Sequence, residues 1–170
     1  MIKILAYILI IAGSTAVGLM KAGELKKRYD FLDIAISSVK IMENNIENSN
    51  MDMNELLDRL NRIECFSDIR FYKDIKKYLN EKHTLDESVS IAAKTAAEQY
   101  YLSSEDKRIL ESVKEIFRSQ DTGEAIINCK RCEEMFCISR QGASNRIKTH
   151  GRLYPTFGVL AGIMVVIMLI

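Results

Sequence analysis

The residues best suited to chemistry are a cysteine group, Cys129-Lys130-Arg131-Cys132, followed by Cys137. A CxxC pair can hold zinc or cycle between dithiol and disulfide. A closed zinc site takes four ligands, and the next donor, His150, lies thirteen residues beyond Cys137, outside standard spacing. A thioredoxin-like redox pair belongs in a strand–helix–strand setting, and no alternating run marks a strand here. On a helix, Cys129, Cys132 and Phe136 share one face, where a thiol packs as a small hydrophobe. Two readings are therefore carried forward: core packing first, and a thiol or metal site on Cys129, Cys132 and Cys137 second.

Other reactive types are scattered. The histidines are His83 and His150, and the chain has no GxxxxGK(S/T), HExxH or GxSxG motif. Glu105 with Asp106, and Glu133 with Glu134, fall at helix positions that read as solvated surface charge rather than acid/base dyads. Tyr100 and Tyr101 read as fillers of a helical bundle rather than a stacking platform. No catalytic, cofactor-binding or metal-ligating residue is assigned. No cofactor is expected, and the chain reads as a non-enzyme.

The elements that hold these residues are helices. Leu25, Tyr29, Leu32, Ile36, Val39, Met42 and Ile46 step by three and four and predict one amphipathic helix over 25–48. Asp52 with Glu55 reads as a capping box before a face of Met53, Leu56, Leu57, Leu60 and Ile63. Phe66, Ile69, Tyr72, Ile75 and Leu79 predict a third helix closing at Asn80. Thr84 with Glu87 and Ser103 with Asp106 are two further capping boxes, each followed by an apolar stripe. A last helix restarts near Asp121 and carries the cysteine face toward Gly142. The expectation is an all-α, antiparallel six-helix bundle.

Two apolar stretches flank this middle. Residues 153–170, LYPTFGVLAGIMVVIMLI, carry no charge and would make a helix of about 27 Å, close to a hydrocarbon core of about 30 Å. Residues 1–20 carry only Lys3. A cleaved signal peptide would suit the short basic start and Ser14, Thr15 and Ala16, but the apolar run continues to Met20. Basic residues stand on the inner side of both stretches: Lys21, Lys26, Lys27 and Arg28 after the first, Arg146, Lys148 and Arg152 before the second. The positive-inside rule then predicts a hairpin: transmembrane helices at 1–20 and 153–170, and a cytoplasmic helical domain at 21–152. Four cysteines without disulfides suit that compartment. Small residues four apart (Ala12 and Ala16, Ser14 and Gly18, Gly158 and Gly162) would let the spans pair with each other or with a second copy, making a homo-oligomer. The middle balances 23 basic against 23 acidic residues, which argues against a nucleic-acid partner.

This layout resembles the stage III sporulation protein AB family of endospore-forming bacteria, itself similar to the inner-membrane platform (F component) of type II secretion machines. The resemblance rests on the Ile2-Lys3-Ile4-Leu5 opening with Gly18, on Arg28, Leu32, Val39 and Ile46, on Ser104-Glu105-Asp106 with Leu110, Val113, Phe117 and Asp121, and on the terminal LAGIMVVIMLI. Lys114 and Arg118 stand where the family usually has glycines, Asn45 where it has an acid, and Asp52 where it has a proline. The resemblance implies an F-domain-like bundle in the mother-cell membrane around the forespore. Its partners would be a secretion-type ATPase encoded in the same operon, other stage III sporulation channel proteins, and membrane lipid. The exposed charges of residues 64–82 and 103–124 are the candidate ATPase surfaces.

Overall fold

No proline interrupts Ile2 to Asn48, and the chain forms one continuous helix there, α1 (Ile2–Asn48). The computed structural model describes residues 2–48, 53–64, 66, 69–151 and 153–169. After α1 come α2 (Met53–Arg62), α3 (Phe71–Asn80), α4 (Leu85–Gln99), α5 (Ser104–Arg118), α6 (Thr122–His150) and α7 (Leu153–Leu169). Among the described residues there is no strand, so the protein is all-α. The chain divides into two compact units, residues 30–141 and residues 1–29 with 142–170.

Residues 30–141 are a helical bundle. Its core is built from Phe31, Leu32, Val39 and Met42 of α1, Leu57 and Leu60 of α2, Phe71 and Tyr72 of α3, Val89 and Ala93 of α4, Leu110 and Val113 of α5, and Phe136 of α6, all buried. Helix α1 runs antiparallel to α6, and α4 to α5, as their paired side chains show. Asp33, Lys40 and Glu43 on α1 meet Arg140 (2.5 Å), Glu133 (3.2 Å) and Lys130 (3.8 Å) on α6. The steps along one helix are the steps along the other in reverse. Asp86 near the start of α4 is gripped by Lys114 (3.1 Å) and Arg118 late in α5. Asp58 of α2 pairs with Lys76 of α3.

Local chemistry sets the boundaries. Thr84 and Ser103 each accept from the backbone N–H three residues on, and Glu87 and Asp106 return the bond, so both predicted capping boxes form. Helices α3 and α4 end alike. Lys82 (φ 68°) and Tyr101 (φ 56°) adopt the left-handed conformation usually given to glycine, and the next N–H reaches back five residues, His83 to Tyr78 (3.1 Å) and Leu102 to Ala97 (3.0 Å).

The predicted third helix starts later than its apolar spacing suggests. Arg70 is left-handed (φ 54°) and the Phe71 N–H bonds to Ile69 (2.6 Å), so the helix begins at Phe71. Phe66, itself helical, and Ile69, in a turn, still enter the core ahead of α3. Gly142 ends nothing, since α6 runs through it to His150. Asp52 of the first capping box, and Cys65, lie outside the described residues.

The second unit is a helical hairpin. Two stretches of the chain, within 7–48 and 122–168, are long and apolar enough to cross a membrane, and only 6% of the most apolar window of each is buried. A core helix of a soluble protein would be mostly covered. Here Met20, Met164, Ile167 and Met168 are exposed, Met168 to 90%. Glycine sets how closely the helices approach. An added Cβ on Gly158 would stand 2.6 Å from the Ser14 carbonyl oxygen, and one on Gly162 would stand 2.9 Å from the Ile11 Cα. One on Gly18 would meet the Tyr154 carbonyl. The Ser14/Gly18 and Gly158/Gly162 pairs thus mate with each other, whereas Ala12 and Ala16 are exposed. Ser14 and Thr15 turn their hydroxyls back to the Ile11 carbonyl (3.0 and 2.7 Å), which satisfies them within an apolar helix.

Candidate functional site

The cysteine group sits on α6, where Cys129 and Cys132 join Phe136 on its buried face. All three side chains are at most 2% exposed, so the shared face read from their spacing is real. Burial pushes the Cys129 thiol up to about 12, helped by nearby Cys132 and Glu43. Burial also raises Cys132, against a hydrogen bond with Ser112 of α5 (3.5 Å) and the positive charge of Arg131. The thiolate is the form that attacks disulfides and binds metals, and both shifts suppress it. Cys137 is half-buried, and all three are free thiols. Among the described residues no three His, Cys, Asp or Glu side chains converge as a metal site would require.

Two buried polar links tie the bundle together. The Tyr72 hydroxyl meets Ser38 of α1 at 2.5 Å, and Ser38 also donates to the Ala35 carbonyl (2.7 Å). Burial drives the Tyr72 phenol well above its ordinary range. Asp106 was expected on the surface, and the structure corrects this: it is fully buried. One carboxylate oxygen accepts the Ser103 N–H (2.7 Å) and the other accepts the Ser139 hydroxyl of α6. Its place at the third position of the capping box turns it inward, and Ser139 lies 33 residues away, so no local pattern marks the contact. Glu133 is no dyad partner either, since it pairs with Lys40 of α1.

Tyr100 fills the bundle as expected, with its ring 4.9 Å from that of Phe31. Tyr101 does not: the left-handed turn at the end of α4 leaves it 48% exposed. The α4–α5 groove, about 600 Å³, is lined by His83, Asp86, Glu87, Val89, Glu111 and Lys114. Its charges are of both signs, Asp86 and Lys114 pair across it, and Glu87 serves the α4 cap. The Thr84 backbone and hydroxyl hold the Glu87 carboxyl below its ordinary range. A general acid or base would need a proton-transfer partner and a site for the reacting atom, and this groove is already occupied by structural pairs.

The chain thus comprises an apolar helical hairpin and a helical bundle. No curated protein and no solved structure was found to be similar to the chain. The profile of one family, stage III sporulation protein AB, matches residues 3–170, covering both units. The chain belongs to the stage III sporulation protein AB family.

Proposed function

We propose that this sporulation protein is a non-enzymatic membrane platform. The hairpin would anchor it in the mother-cell membrane around the forespore, both termini outward, and the bundle would present a cytoplasmic surface. The partner would be a secretion-type ATPase encoded in the same operon, within a channel-like complex that includes other stage III sporulation proteins. An F-domain-like arrangement of the bundle belongs to this reading.

The observation that carries it is the contrast between the two units. One exposes apolar side chains along interlocked helices, as a lipid-facing hairpin does. The other buries its apolar side chains and commits its buried carboxylate to structural bonds. Such a body can position a partner without a substrate pocket. For the ATPase contact, the exposed charges Lys73, Lys77, Glu81 and Lys82 around α3, and Glu105, Arg108 and Arg118 on α5, are the available surfaces. The rival thiol or metal reading has less support, because its two central thiols are buried and held protonated.

The test is purification of the full-length protein from membranes of sporulating cells, with quantification of the P-loop ATPase from its own operon. Stoichiometric recovery, reduced by charge reversal at Lys73 and Lys77 or at Arg108 and Arg118, is expected. Recovery in the soluble fraction, or no ATPase under conditions that retain other channel components, would overturn the platform reading.

A further inference from the structure

A helical bundle in water covers its large apolar side chains, and residues 30–141 do so with three exceptions among the described residues: Tyr101, Ile127 and Ile138. Two of the three stand on one helix. Ile127 is 64% exposed and Ile138 69%, both on α6. Eleven residues make close to three helical turns, so the two share one side of α6, about 16 Å apart. Arg131 and Glu134 lie between them and are also exposed, and steps of four, three and four keep all four residues on one face.

The charges beside this face are used within the chain, since Lys130 pairs with Glu43 and Glu133 with Lys40, both on α1. Arg131 and Glu134 join no ion pair among the described residues. The face is its own complement. Turned end for end about its midpoint, between Cys132 and Glu133, it exchanges Ile127 with Ile138 and Arg131 with Glu134. Laid antiparallel on a second copy, it seats isoleucine on isoleucine and sets each arginine opposite a glutamate, at the spacing by which two helices interlock. A parallel pair would set Arg131 against Arg131 and Glu134 against Glu134. The antiparallel contact is two-fold and closed, so it ends at two copies.

We propose that this face of α6 binds the same face of a second copy, antiparallel, and so joins copies held in two facing bilayers. The pairing stands apart from the membrane reading above, and the joining of bilayers rests on it. Helix α6 continues to His150 and the apolar residues 153–170 follow, so an antiparallel pair sends these two ends in opposite directions. Two isoleucine contacts and two exposed ion pairs make a weak bond for one pair of molecules, and many copies facing each other across a gap multiply it.

The first test is sedimentation equilibrium of the full chain in detergent micelles. A reversible monomer–dimer equilibrium is expected, weakened about tenfold by Arg131→Glu and equally by Glu134→Arg. Mixing the two variants should restore the wild-type affinity, because each supplies the charge that the other has lost. Lys94→Gln, on α4, should change nothing. A monomer at every concentration, a dimer that either reversal leaves unchanged, or no recovery on mixing would overturn the pairing. All the substituted sites are exposed, and recovery on mixing requires both variants to be folded. The second test loads Arg131→Glu into vesicles with one dye and Glu134→Arg into vesicles with another. Vesicles of unlike colour should adhere and those of like colour should not. Dimers in micelles with no adhesion between vesicles that hold the protein would overturn the joining of bilayers. A chain that fails to enter vesicles would overturn the membrane reading and the joining with it, while the pairing stands or falls on the micelle result.

Discussion

Gly158 of α7 rests against Ser14 of α1 so closely that a single Cβ would come within 2.6 Å of the Ser14 carbonyl oxygen. The contact sets both the spacing and the register of the hairpin. Gly158→Val should force the helices apart and lower stability by about 1–3 kcal/mol, the usual cost of overpacking. Gly13 meets nothing within 4 Å, so Gly13→Ala should change little. Unfolding of the purified protein in mixed micelles measures both.

The ion pairs between α1 and α6 should behave as a register code. Lys40→Glu places like charges opposite Glu133 and should cost about 0.5–1 kcal/mol, since the pair is partly exposed. The exchange Lys40→Glu/Glu133→Lys should recover most of that loss, and high salt should erase the difference. A double-mutant cycle by denaturant unfolding checks it.

Asp106 joins the start of α5 to Ser139 of α6 and should be the most sensitive carboxylate of the bundle. Asp106→Ala removes a cap and a buried hydrogen bond together, for a loss of about 2–4 kcal/mol. Ser139→Ala alone should cost about 1 kcal/mol and should add little in the Asp106→Ala background.

The thiols make a prediction with a sign. Cys129 is raised to about 12 in the folded protein, from an ordinary value of 9.0. The folded state therefore favours the protonated thiol. Its contribution is fully present below pH 9 and is lost as pH rises toward 12. At neutral pH a thiol-reactive dye should label Cys137 first, because it is half-buried, and Cys129 and Cys132 only on unfolding. Rapid labelling of Cys129 in the native protein would revive the thiol reading.

Two substitutions of opposite kind should each stabilise the fold. Gly142 lies inside α6 with nothing within 4 Å of an added Cβ, so Gly142→Ala should add about 0.5–1 kcal/mol. Lys82 sits at φ 68°, where a side chain is strained, so Lys82→Gly should add about 0.5–1 kcal/mol. Thermal unfolding followed by circular dichroism reports both.

The sequence by itself determined what depends on neighbours a few residues apart. The capping boxes at Thr84 and Ser103 form because their partners stand three positions on. The buried face of Cys129, Cys132 and Phe136 follows from steps of three and four. The two apolar stretches were evident from composition, and the smooth passage of α1 beyond Met20 from the lack of any breaker. Tertiary structure decided the rest. The start of α3 depends on a left-handed Arg70, which apolar spacing cannot encode. Asp106 is buried against the hydroxyl of Ser139, 33 residues away, a partner that no local spacing encodes. Which small residues mate was also undecided, since Ala12 and Ala16 have the same spacing as Ser14 and Gly18. Only the facing helix chose between them, because close approach is a property of two surfaces, and a sequence read along one helix contains only one of them.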